Sequence, residues 1–176
     1  DQLRIEVMSA GQPMAKLAID GQWFYLLSHA EDRFYKTRSA NPSLKRLVGV
    51  PVRADDMIAL LSGRIPLAPF HYADIQKKDG QWQLVLTHWG RTVQRLYLDG
   101  EGKRVRAIER FSAHEAFRYE ATLGEVRHVD GYDIPFRLEF SDGEGAGFSL
   151  TMDRYWADAD VDPSRFSLLS PETAAP

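Results

Sequence analysis

Five histidines, His29, His71, His88, His114 and His128, are the side chains of this sequence best suited to proton transfer or metal binding. They fall on separate predicted strands or loops, and no two stand four apart on a helix, so spacing creates no chelating pair. His114-Glu115 opens like a zinc-protease motif, but Arg118 occupies the place of the second histidine. Asp158-Ala-Asp160-Val-Asp162 opens like a calcium loop, which needs glycine at its sixth position and glutamate at its twelfth; Pro163 and Leu169 stand there instead. The better reading is an acidic bend in which Asp162-Pro163-Ser164 starts a short turn that drops Phe166 onto the core. Gly143-Glu-Gly145-Ala-Gly147 has a strand rather than a helix behind it, so it is a hairpin tip and not a phosphate loop. No Gly-x-Ser-x-Gly elbow and no triad spacing occurs, and the chain has no cysteine for thiolate chemistry. No catalytic residue, metal ligand or cofactor is assigned, and the chain is expected to be non-enzymatic.

What remains is charge and apolar surface. Arg104, Arg106 and Arg110, beside Lys103 and with Arg91 and Arg95 on a neighbouring strand, form a basic stripe. Strict alternation puts Arg104, Arg106 and Arg110 on one face, opposite Val105, Ala107 and Phe111. That stripe reads either as a solvated outer sheet face or as a patch for anionic headgroups or an acidic partner, where each cation near a membrane contributes about 1 kcal/mol. Aromatic residues are abundant: Trp23, Phe24, Tyr25, Phe34 and Tyr35 crowd one hairpin, and Trp82, Trp89, Phe117, Tyr119, Phe136, Phe140, Phe148 and Trp156 spread over others. A packed core and an apolar ligand pocket both use such residues.

The elements that position these side chains are mostly strands. At 176 residues, 44% hydrophobic and 27% charged, the chain has the composition of one globular domain with a real core. It carries no long uncharged run for a membrane helix, and its net charge of −3 supplies no basic field for nucleic acid. Asp-Gly occurs five times, at 20–21, 79–80, 99–100, 130–131 and 142–143, each pair lying between runs that alternate apolar and polar residues. Leu3, Ile5 and Val7 share a face, as do Trp82, Leu84 and Leu86, then Phe117, Tyr119, Ala121 and Leu123, then Ile134, Phe136, Leu138 and Phe140. The stretch from Asn41 to Leu67 differs. Asn41-Pro42 starts a short helix ending near Gly49, and a second helix runs from Asp55 to Ser62, with Asp55 and Asp56 at its positive end and Gly63 as its stop. Pro66 and Pro69 stiffen the connector that follows. The expected fold is mainly β: a single curved antiparallel sheet forming an incomplete barrel, with two short helices as lid or plug. One domain is expected over 1–170, with 171–176 a frayed tail.

In this order the motifs resemble the lipoprotein-localisation superfamily, which includes the periplasmic lipoprotein carrier and its outer-membrane receptor. The resemblance rests on Leu3-Arg-Ile-Glu-Val-Met-Ser-Ala-Gly-Gln-Pro13, Leu17-Ala-Ile-Asp-Gly-Gln-Trp-Phe-Tyr-Leu26, Leu47-Val-Gly-Val-Pro-Val52, Asp56-Met-Ile-Ala-Leu-Leu-Ser-Gly-Arg-Ile-Pro66, Ile134-Pro-Phe-Arg-Leu-Glu-Phe140 and Asp162-Pro-Ser-Arg-Phe166. It implies a half-open barrel lidded by helices, an apolar cavity, and lipid or lipoprotein acyl chains as partners. It also implies a periplasmic setting at the outer membrane, with a lipidated cysteine, a helix and a strand expected ahead of Leu3. The receptor's exposed apolar residue, implicated in membrane delivery, maps to the Met8–Pro13 hairpin; Ala10 stands where a leucine is expected, which leaves Met8 or Met14 as the substitute.

The reading that follows is a binding domain whose cavity is lined by Leu17, Ile19, Trp82, Leu84, Phe117, Tyr119, Phe136 and Leu138 from the sheet. The helical segment adds Leu44, Leu47, Met57, Ile58 and Leu61. The alternative is a protein-interaction or envelope-sensor module on the same fold, with a filled interior and the Arg104–Arg110 stripe or an edge strand as its contact surface.

Overall fold

The computed structural model describes residues 2–29, 31–39, 41–112, 114 and 116–170. Glu115 of the zinc-like motif and the tail expected to fray lie outside them. Eleven strands and two helices follow one another as β1 (Leu3–Ser9), β2 (Gln12–Ile19), β3 (Trp23–Ser28), β4 (Arg33–Arg38), α1 (Lys45–Val48), α2 (Ala54–Leu61), β5 (Tyr72–Lys78), β6 (Gln81–His88), β7 (Arg91–Leu98), β8 (Val105–Phe111), β9 (Phe117–Val129), β10 (Tyr132–Ser141) and β11 (Gly147–Thr151). Among the described residues a 3-10 turn, Pro163–Phe166, comes after them. The architecture is mainly β and antiparallel with two short helices, as the alternation implies. Its hydrogen bonding forms two open ladders, β1-β2-β3-β4 and β11-β10-β9-β8-β7-β6-β5. Contacts divide the chain accordingly into two compact units, residues 1–42 with 158–176, and residues 43–157. Among the described residues no helix is long and apolar enough to cross a membrane.

In the four-stranded unit the core is built where β2 meets β3. Leu17, Ala18 and Ile19 pair with Leu26, Tyr25 and Phe24, and all six are buried. The Asp20-Gly21 turn between these strands is locked by its aspartate, whose Oδ1 accepts from the backbone N–H of Gln22 and Trp23 at 2.9 and 2.7 Å. Asp162 caps the 3-10 turn by accepting from Ser164 N at 2.9 Å, and that turn packs against β1 and β2 with Phe166 half-buried.

The seven-stranded unit carries both helices. α1 is one turn long, and α2 presents Ala54, Met57 and Leu60 as its buried side. Gly63 ends α2 in the left-handed region at φ +70°, where a Cβ would stand 2.4 Å from the Asp133 carbonyl oxygen of β10. Only glycine satisfies both the conformation and the close approach. The connector beyond it is pinned to β7 through the Gln94 amide, which accepts from Ala68 N at 2.7 Å and donates to Pro66 O at 2.8 Å.

Four hairpins close with two-residue turns in which both residues have positive φ: Ala10-Gly11, Asp79-Gly80, Trp89-Gly90 and Asp130-Gly131. This is the twist-matched geometry that favours Asn-Gly and Asp-Gly. Two of the four have the expected aspartate and two do not.

Candidate functional site

Cross-strand partners point to the same face of a sheet, so the register of the seven-stranded unit spells out its surfaces. Leu86 pairs with Gln94, Gln94 with Arg110, and Arg110 with Tyr119, making one row across β6, β7, β8 and β9. The next row runs Leu84, Leu96, Ile108, Ala121, Phe140 and Phe148. Leu123, Leu138 and Leu150 form a third. Across these three rows the side chains are apolar except for Gln94, Arg110 and the Tyr119 hydroxyl.

That polar row meets Asp56 of α2. The Asp56 carboxylate accepts from Arg110 Nη2 at 2.6 Å through one oxygen and from the Tyr119 hydroxyl at 2.6 Å through the other. Arg110 Nη1 also donates to Gln94 Oε1 at 3.3 Å, while its Nε is buried without a hydrogen-bond partner. The ion pair is nearly dry, with 12% and 11% of the two side chains exposed. Burial, followed by the Asp56 charge, pushes the Tyr119 phenol far above its ordinary range and keeps it a donor. Helix α2 and the connector are thus fastened to the sheet by one polar cluster drawn from four elements.

Two one-residue bulges produce this arrangement and correct the sequence reading. Tyr97 pairs with Ala107 but Leu98 with Val105, so Arg106 is an extra residue in β8. Alternation restarts beyond it, and Arg110 turns to the covered face instead of sharing an exposed stripe with Arg104 and Arg106. Arg104 stands in solvent, 4.0 Å from Asp133, and Arg106 is exposed. In β9, Arg110 pairs with Tyr119 but Phe111 with Phe117, which makes Arg118 the extra residue. Phe117 therefore leaves the face of Tyr119, stands 40% exposed, and meets Phe111 edge-on at 6.1 Å.

Of the other candidates for the cavity lining, Tyr119, Phe136, Leu138, Leu44 and Met57 are buried in the seven-stranded unit, and Trp82, Leu84, Leu47, Ile58 and Leu61 are half-buried there. Leu17 and Ile19 are buried in the other unit. At the β1–β2 hairpin Met8 is exposed and Ala10 takes the left-handed first turn position at φ +48°. Sequence reasoning assigned Asp56 to helix capping and overlooked Gln94. The available signal was that Asp56 precedes Leu60 by one helical turn on the buried side, where a carboxylate requires a partner.

No protein-family model matches the sequence, and no curated protein matches it. Among solved structures, a domain assigned to outer-membrane lipoprotein sorting from Vibrio parahaemolyticus superposes with a TM-score of 0.51 at 16% identity, covering 90% of this chain and 77% of that one. A DUF1329-family protein from Desulfovibrio piger gives a TM-score of 0.53 at 9% identity, over 94% and 80% of the two chains. A LolA-superfamily protein from Nitrosomonas europaea is similar over 95% of this chain and 87% of its own, at 14% identity and a TM-score of 0.41. At these identities the likeness is one of fold: the chain folds like the Vibrio lipoprotein-sorting domain and the Desulfovibrio DUF1329-family protein.

Proposed function

We propose that this chain is a binding domain of the bacterial cell envelope, without catalytic activity. In this reading it takes lipid or lipoprotein acyl chains between the apolar face of the seven-stranded sheet and the segment formed by α1, α2 and the connector. The observation that carries it is the combination of an apolar face with a helical cover held by a discrete polar cluster. Releasing Asp56 from Arg110 and Tyr119, and Gln94 from Pro66 and Ala68, frees the cover while the hydrogen-bonded ladder stays intact. An acyl chain entering there gains roughly 0.8 kcal/mol per methylene removed from water, so one chain offsets the loss of several polar contacts. The lipoprotein-sorting fold of the Vibrio domain supports this reading and a periplasmic location at the outer membrane.

Native mass spectrometry of protein purified from cells tests it, together with uptake of a fluorescent fatty acid. The expected result is a co-purifying acyl species displaced by the probe. A clean apo mass with no uptake would overturn the reading in favour of a protein-interaction module on the same fold.

A further inference from the structure

The turn joining β6 to β7 places a tryptophan where the backbone disfavours one. Trp89 has φ +51°, in the left-handed region that asparagine, aspartate and glycine tolerate and bulky residues avoid. Its indole contributes little to the core, since the residue is 79% exposed. It joins a small aromatic cluster instead. The His71 and His88 rings stack with centroids 4.3 Å apart, and the Trp89 ring lies 4.6 Å from that of His71. Phe70 and Tyr72 flank His71 and are 43% and 75% exposed, and nearby in the chain Leu67 is 55% exposed.

These groups are held rigidly. His71 N donates to Thr87 O at 2.9 Å, fixing the start of β5 against β6. Gln94 holds the backbone on either side of Leu67, through Pro66 O and Ala68 N, so Leu67 is presented outward between two anchored neighbours. The flanking chain is poor in acids, although the β10–β11 hairpin at the same end of the sheet carries Asp142 and exposed Glu144. Residues 57–73 and 80–98 contain no aspartate or glutamate, although the chain as a whole carries 25 acids against 22 Lys and Arg. The same stretches hold Arg64, His71, His88, Arg91 and Arg95, the last paired with Glu109 at 3.2 Å.

We propose that this end of the seven-stranded sheet, centred on Trp89 with Leu67, Phe70 and Tyr72, docks on a phospholipid bilayer. Trp89 then seats at the boundary between headgroups and acyl chains. Indole and phenol rings favour that boundary because one part is apolar and another donates hydrogen bonds, and the acid-free flanking stretches, with exposed Arg64 and Arg91, suit anionic headgroups. The tip of a turn is also the wrong shape for a small ligand, which needs a concavity. The inference stands apart from acyl-chain uptake: flotation on vesicles reads this surface, and fatty-acid uptake reads the covered sheet face.

The test is flotation of the full chain with vesicles of phosphatidylethanolamine containing a minority of phosphatidylglycerol, and with vesicles of phosphatidylcholine alone. Wild type is expected to float preferentially with the anionic vesicles, with its tryptophan fluorescence quenched by brominated lipid. Trp89→Asn is expected to lower vesicle partitioning by about tenfold or more while melting at the same or a higher temperature, because asparagine suits the turn. Trp89→Phe should remove most of the quenching while the other tryptophans remain. Equal flotation of Trp89→Asn and wild type, or wild-type flotation with neither vesicle, overturns the proposal. So does binding to native membrane fragments that pure lipid fails to reproduce, which would identify a protein partner.

Discussion

At one end of the seven-stranded sheet Asp79-Gly80 and Asp130-Gly131 close two hairpins; at the other end Trp89-Gly90 closes one with the same backbone geometry. The aspartate end is finished with hydrated charge. Asp99 accepts from Lys103 N at 2.8 Å, Asp133 meets His128 at 2.9 Å and Arg104 at 4.0 Å, and Lys103 pairs with Glu101 at 2.8 Å. The His128 hydrogen bond, aided by the Arg104 charge, holds Asp133 below the usual carboxylate range. The tryptophan end shows rings and aliphatic side chains to solvent around that turn, exposed Glu144 on the neighbouring β10–β11 hairpin, and the dry Arg110–Asp56 pair on the row just inside it. The same residue type therefore does different work at the two ends of β8: Arg104, just ahead of it, contributes little in water, and Arg110 fastens a helix.

The sharpest way to break this contrast is to remove one partner of the buried pair. Asp56→Ala leaves the Arg110 guanidinium buried and uncompensated, and is expected to cost about 3–5 kcal/mol in denaturant melts. Asp56→Ala combined with Arg110→Met should recover part of that loss. Gly63→Ala comes next: left-handed strain costs about 1–3 kcal/mol, and the clash with the Asp133 carbonyl adds to it. Exchanging the turn residues tests the two ends directly. Trp89→Asn should gain, and Asp79→Trp should lose, about 1–2 kcal/mol of stability in thermal or chemical melts.

Tyr119 supplies a pH dependence. Unfolded chains release a tyrosine proton near pH 10 while the folded protein retains it, so stability falls as pH rises above about 10, by about 1.4 kcal/mol per unit for one retained proton. Burial also raises the phenols of Tyr25 and Tyr97, so Tyr119→Phe should remove one share of the slope in alkaline melts and leave theirs. The smallest effect is expected from Arg104→Ala, under about 1 kcal/mol and reduced further by salt, because its pair with Asp133 is exposed.

The sequence makes regular backbone legible. Alternation locates the strand cores, Asp-Gly marks two of the four tight turns, and the 54–61 helix lies within one residue of its expected start and end. Irregular backbone is another matter. The extra residues Arg106 and Arg118 look like ordinary strand positions, since a bulge requires no particular side chain, and each reverses the assignment of what lies beyond it. The Trp89-Gly90 turn is masked because its first residue signals a strand. The Asp56–Arg110 pair spans 54 positions, and no local pattern ties its two halves together.

The bulge at Arg106 has a consequence for how this chain tolerates insertions and deletions. Dropping that one residue would leave composition and hydropathy almost unchanged. It would also return β8 to strict pleating with its pairings kept, Val105 with Leu98, Ala107 with Tyr97 and Arg110 with Gln94, so Arg110 would still face α2. The bulge thus marks a place where β8 can lose a residue and keep its helical cover fastened.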